Sequence, residues 1–198
     1  MSLHFAQLPQ DYREMFAKGL AEGARIFKIH KPGHRMGGEF SPDRIEKPME
    51  IFSITVGALK SGQTLSGSTS EGWRVFLADR PPIRSSDVVR TADGDGLVFL
   101  GIATGPQNDF TLSLLDELSK APEFDANDFT VRFFRVKPLN LAALWLASDD
   151  AQRDILIPLP PAHKPFVASH KYGAEMFSEL MQESAGRKTL NAEIFFAM

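Results

Sequence analysis

The chain has 198 residues, a formal net charge of -3 at pH 7 and no cysteine. Without cysteine it has no disulfide, no thiolate nucleophile and no cysteine-held zinc or iron–sulfur centre. Its slight acidic excess argues against a dedicated nucleic-acid binder, because such proteins usually carry surplus Lys and Arg to neutralise phosphates.

The composition is that of an ordinary globular protein, with 43% hydrophobic and 24% charged residues, and we expect a single domain over residues 1–198. No apolar run approaches the length of about 20 residues that a membrane helix needs, and the first residues do not resemble a secretory signal. The expectation is a soluble, cytoplasmic protein with no membrane partner.

Phenylalanine is unusually frequent, with 16 residues against two Tyr and two Trp. Phe adds a large apolar area and no polar group, so we expect most of these side chains in the protein interior. An apolar pocket or a Phe-lined partner surface is the alternative interpretation.

The first predicted helix runs from Pro9 to about Gly23, because apolar residues recur there at helical spacing. A short strand at Ile26–His30 and a long irregular stretch from Lys31 to Pro48 follow. The later predicted strands are short apolar or alternating runs between turn residues. They span Met49–Leu59, Trp73–Ala78, Leu97–Ala103, Phe129–Lys137, Leu141–Ala147 and Ile155–Leu159, with a short extended piece at Asp87–Arg90.

Two further amphipathic helices are predicted. One begins at a cap on Asn108 or Asp109 and runs to about Lys120. The other runs from Lys171 to about Ala185, and the glycine that follows can end it.

Two segments complete the predicted fold. Leu141–Ala147 would also suit a helix, because periodicity does not decide short apolar runs. The apolar tail Leu190–Met198 is expected to pack as a last strand. Since the strands do not alternate with helices as in a doubly wound sheet, we predict an α+β fold with a mainly antiparallel or mixed sheet of about six strands and three amphipathic helices on one face.

The segment His30–Glu39 is the most suggestive of ligand binding. It combines two imidazoles, two permanent cations and glycines, whose backbone amides can approach an anion closely. A phosphate or carboxylate ligand is the functional interpretation; the spacing is not that of a P-loop, and a solvated basic loop is the alternative. The candidate ligand-binding residues are His30, Lys31, His34, Arg35, Gly37 and Gly38.

A metal site at His30 and His34 is not expected. Two histidines four residues apart share a face only on a helix, and Pro32 and Gly33 between them argue against a helix. We therefore predict no metal and no other cofactor.

His163 belongs to a second basic cluster, ahead of the last predicted helix, and is a further weak candidate for ligand binding. A loop histidine can titrate near neutral pH and act as a general acid or base. That role would need a carboxylate nearby, such as Asp154 or Glu175. The alternative is that these are ordinary polar residues of the loop that leads into the helix, with no catalytic role.

Arg132 and Arg135 flank two phenylalanines in the predicted strand Phe129–Lys137. Bases of single-stranded RNA could stack on such a strand if the sheet were exposed. A strand with one solvated face explains the same residues more simply, and no nucleic-acid partner is predicted.

No catalytic motif such as Gly-x-Ser-x-Gly is present. The first functional hypothesis is a non-catalytic binding or protein-interaction domain, whose partner is another protein or a second copy of the chain. The alternative is a small enzyme that acts on a phosphate- or carboxylate-bearing substrate through loop 30–39. Convergence of His30, His34 and His163 in one pocket would favour the enzyme.

Overall fold

A computed structural model describes residues 2–19, 21, 45–77, 83–91, 93, 96–122 and 128–196 of the protein, with the backbone alone at residue 2 and at residues 188–196. Within these residues, nine strands form one mixed sheet and four segments are α-helical. The predicted α+β class with a mixed sheet is confirmed. The predicted number of strands was too low, because several short strands carry little sequence signal.

The sheet follows the order β5-β4-β3-β2-β6-β7-β8-β9. Its neighbours are antiparallel except that β2 runs parallel to β6, and β1 pairs in parallel with the start of β6. The strands are β1 Ser2–His4, β2 Ile45–Ser53, β3 Thr69–Leu77, β4 Arg84–Arg90, β5 Leu97–Thr104, β6 Asp128–Val136, β7 Leu141–Ala147, β8 Ile155–Pro158 and β9 Tyr172–Gly173.

Helices cover both faces of the sheet. They are α1 at residues 12–19, α2 Val56–Lys60, α3 Pro106–Leu118 and α4 Ala174–Phe196. On β6, Phe133 packs into a core shared with α3, whereas the next residue, Phe134, packs against Phe177 of α4. The predicted arrangement, with helices on one face and one solvated face on β6, is therefore wrong.

The phenylalanines supply much of this double core, as predicted. On the face under α3 they lie among aliphatic residues of β2, β7 and β8, and on the other face they form edge-to-face aromatic contacts. The fully or nearly fully buried ones are Phe16, Phe76, Phe129, Phe133, Phe134, Phe166 and Phe177.

Two element boundaries differ from the predicted ones because individual side chains, rather than the apolar pattern, decide where these elements end or begin. The predicted strand Met49–Leu59 ends at Ser53, since the Thr55 hydroxyl accepts from the Ala58 amide and caps the short helix α2. Helix α3 begins at Pro106, which suits a first turn because it lacks an N–H. Asn108 does not cap it: its buried amide donates to two backbone carbonyl oxygens.

The C-terminal prediction was wrong as well. Helix α4 begins at Ala174 and continues through Gly186 to Phe196, so the predicted last strand Leu190–Met198 does not form. Glycine inside a helix costs about 1 kcal/mol relative to alanine, which the buried residues of the preceding turns offset. Leu141–Ala147, for which a helix was also considered, is strand β7.

Candidate functional site

The residues predicted to bind an anion fall into two groups. His30, Lys31, His34, Arg35, Gly37 and Gly38 lie outside the described residues, so the proposed role of loop 30–39 stays a prediction. His163 is exposed, and its Nε2 lies 3.0 Å from Nδ2 of Asn140. Asp154 and Glu175, considered as its acid–base partners, line a different pocket.

That other pocket is built on a row of side chains that crosses the sheet under α1, α2 and α4. The strand registers place Trp73 beside Glu50, Glu50 beside Arg132, and Arg132 beside Trp145. Side chains in register on neighbouring strands point to the same face. Two charged side chains thus stand between two indoles in the middle of the sheet.

The Arg132 guanidinium stacks on two aromatic rings. Its central carbon lies 4.7 Å from the ring centroid of Phe52 and 4.6 Å from that of Trp145. The two rings are 5.4 Å apart and inclined by 73°, so the cation sits in the corner between them. Such contacts stabilise a partly desolvated cation by about 0.5–2 kcal/mol and restrict its position.

No described residue forms a hydrogen bond or an ion pair with the Arg132 side chain. The carboxylate of its neighbour Glu50 instead accepts a 2.5 Å hydrogen bond from the Ser70 hydroxyl. A guanidinium has five N–H donors and no acceptor. Within the described part of the chain, its donors therefore remain open to solvent or to a ligand, although the side chain is half-buried.

Arg132 faces a pocket of about 920 Å³ between the sheet, α4 and two loops. Leu65 is buried and anchors the 3-10 turn Leu65–Gly67, which carries hydroxyl groups to the rim. The loops around β8 and the first turns of α4 close the other side. Besides the aromatic floor, the polar lining consists of Thr64, Ser66, Ser68, Arg132, Ser148, Gln152, Asp154, Glu175 and Ser178.

Asp154 holds the floor of this pocket in place. Its carboxylate is buried and accepts 2.8 Å hydrogen bonds from the indole N–H of Trp145 and from the backbone N–H of Ser148. Since Asp154 is only 5% exposed and both of its oxygens have a donor, it positions Trp145 and is poorly placed to bind a ligand.

A second charged cluster lies on the opposite face of the sheet, and its side chains form hydrogen bonds mainly with one another. Arg135 donates to Glu71 and to Asp87, and Arg74 donates twice to Asp87. Burial raises the pKa of Glu71, but hydrogen bonds from Ser53 and Arg135 and the charges of Arg135 and Lys137 outweigh it and leave that pKa below its ordinary value. We interpret this cluster as structural.

Arg132 was not predicted as a ligand-binding residue. A lone arginine between apolar residues of a strand, with a tryptophan on another strand, indicates a stacked cation only when the register is known. The strand around Arg132 was considered for base stacking, but Phe133 and Phe134 are buried in the two cores, and Arg132 itself contacts Phe52 and Trp145.

A scan against protein-family models finds no match, and searches of curated proteins and of solved structures find no significant match. Among the described helices, none is both long and apolar enough to cross a membrane. The interpretation of the pocket therefore depends on its own geometry.

Proposed function

We propose that the protein is a binding protein for a small molecule that carries a carboxylate or phosphate group, held in the pocket around Arg132. The observation that carries the proposal is the Arg132 guanidinium, half-buried, clamped by Phe52 and Trp145 and without an anionic partner among the described residues. A ligand anion would accept hydrogen bonds from donors that the described residues leave unpaired.

The surroundings of Arg132 favour an oxyanion in two ways. Hydrogen bonds between a guanidinium and a carboxylate or phosphate are charge-assisted and frequently bidentate, so a guanidinium held in position by two rings favours such groups. On the rim, the Thr64 and Ser66 hydroxyls bond to each other and leave one proton between them, and this proton and that of the Ser68 hydroxyl can be donated to a ligand.

Binding without catalysis is the better-supported interpretation of this pocket. Its described lining contains neither His nor Lys, and a serine nucleophile needs such a base beside it. The alternative, an enzyme acting through loop 30–39, depends on residues outside the described part of the chain. A protein partner or a second copy of the chain stays a prediction too.

Isothermal titration calorimetry with matched acids and amides tests the proposal. We expect small carboxylates or phosphate monoesters to bind, and Arg132→Met to weaken the best of them by about tenfold or more, because a charge-assisted hydrogen bond contributes about 1.5–3 kcal/mol. Arg90→Met is the control: Arg90 stacks on Trp73, 4.4 Å from its centroid, on the same face but outside the pocket.

Equal affinity for acids and their amides would contradict the proposal. So would an Arg132→Met variant that folds normally and binds the same ligands as tightly as the Arg90→Met variant does.

A further inference from the structure

We infer that the ligand of the Arg132 pocket is a small zwitterion, with an anionic group for Arg132 and an ammonium group for Glu175. An α-amino acid is the simplest molecule of this class. The inference rests on the proposed function and adds the second charge of the ligand.

The described lining of the pocket contains two carboxylates, and of these only Glu175 has no partner among the described residues. Both oxygens of Asp154 accept hydrogen bonds from Trp145 and Ser148. Glu175, in the first turn of α4, has neither a hydrogen bond nor an ion pair with any described residue. Glu50, the register neighbour of Arg132, is bonded to Ser70 and does not line the pocket.

Arg132 and Glu175 come from different layers of the fold. Arg132 lies on the sheet and Glu175 is an exposed residue of the first turn of α4, and the two form no ion pair although they line the same pocket. A purely anionic ligand on Arg132 would face the negative charge of Glu175, which costs affinity. A ligand that places an ammonium group toward Glu175 removes that repulsion and gains a second charged contact.

The rest of the lining suits the body of such a molecule. Ala147, Ala151 and Ala174 are small and apolar and leave room beside the charged groups for a side chain. The side-chain amide of Gln152 can donate or accept a hydrogen bond without adding charge, whereas the Ser178 hydroxyl, which donates to the Ala174 carbonyl oxygen, can only accept one.

The test compares each of the twenty common amino acids with its N-acetyl derivative, which lacks the ammonium group, and with its amide, which lacks the carboxylate. Thermal shift selects the amino acid that raises the melting temperature most, since binding to the folded state stabilises by mass action. Calorimetry on the full chain then gives the three affinities. We expect the free amino acid to bind about tenfold more tightly than either derivative.

Two variants test which residue binds which charged group of the ligand. Glu175→Gln should remove the preference over the N-acetyl derivative, and Arg132→Met the preference over the amide. Glu179→Gln, an exposed change one turn further along α4 and outside the pocket, is the control and should leave all three affinities unchanged.

The inference fails if no amino acid binds, if the N-acetyl derivative binds as tightly as the free amino acid, or if Glu175→Gln behaves like Glu179→Gln. If simple carboxylates or phosphate monoesters still bind through Arg132 in those cases, the proposed function stands without it. If Arg132→Met changes the affinity of no anion, both the inference and the proposed function are overturned.

Discussion

The indole N–H of Trp145 on β7 and the carboxylate of Asp154, nine residues further along the chain, form a buried 2.8 Å hydrogen bond. The same carboxylate accepts from the Ser148 backbone N–H, so one side chain closes the β7–β8 turn and fixes the indole on which Arg132 stacks. Local turn geometry and the floor of the candidate site are thereby coupled.

Asp154→Ala should lower the free energy of unfolding by about 1–3 kcal/mol, because a buried indole N–H and a backbone N–H lose their acceptor. Asp154→Asn, which keeps one acceptor oxygen, should lose less. Urea denaturation followed by tryptophan fluorescence measures both. Asp149→Ala, a change of an exposed neighbour, is the control, and a loss of the same size there would contradict the assignment.

Among the residues of the charged cluster around Asp87, Arg135 should cause the largest loss of stability when it is replaced. Its side chain is 11% exposed and bridges Glu71 and Asp87, which is 12% exposed. Arg135→Met removes one donor from each carboxylate. Because Asp87 keeps Arg74, and Glu71 keeps Ser53 and Lys137, neither charge is left unpaired, and we expect a loss of about 1–3 kcal/mol. Chemical denaturation should show this loss. Arg187→Met, at an exposed pair with Glu183, should cost less than about 1 kcal/mol.

The stability of the protein should depend on pH through Glu71. Its folded pKa lies below the ordinary value of 4.5, so the folded state prefers the ionised carboxylate. The stabilisation is present in full above that ordinary value and disappears as the pH falls through the lower folded pKa. Unfolding free energies of the wild type and Glu71→Gln should therefore differ most near neutral pH and converge in acid.

A matched acid supplies the control for this titration. Glu117→Gln removes an exposed carboxylate of α3 and should change the free energy of unfolding at neutral pH by no more than about 0.5 kcal/mol. A Glu71→Gln profile that stays parallel to the wild type down to the acid limit would show that this carboxylate does not titrate with folding.

Gly186→Ala tests the continuity of α4. A Cβ at Gly186 meets no atom within 4 Å, and the residue lies inside the helix. Because alanine is favoured over glycine in helix interiors by about 1 kcal/mol, we expect a higher free energy of unfolding and a slightly stronger helical circular dichroism signal. Destabilisation would instead indicate that the helix ends at Gly186, as the sequence pattern predicted.

Gly72 offers the opposite case. It adopts φ of 150° on β3, and a Cβ there would lie 2.1 Å from the Val88 carbonyl oxygen of the neighbouring strand. Gly72→Ala should destabilise by at least about 2 kcal/mol, because the backbone of β4 must move. Gly57→Ala, at an open position of α2, is the matched control in the same denaturation experiment and should be neutral or mildly stabilising.

The sequence by itself determined the elements whose signals are local. Alternating and apolar runs predicted β6, β7 and β8 almost to the residue, and helical spacing predicted the start of the last helix within a few residues. The same patterns predicted the α+β class and a Phe-rich core. Side-chain periodicity is a property of a segment and its solvent, so it can be read without knowledge of distant residues.

Only the tertiary structure decided which faces are covered and which residues meet. Strand order and register join segments far apart in the chain, and they bring Phe52, Arg132 and Trp145 into contact. Asp154, which was considered as the partner of a histidine, instead accepts a hydrogen bond from the indole of Trp145. A one-residue change of register would send each of these side chains to the other face. The pocket is a product of long-range pairing, which short-range patterns do not encode.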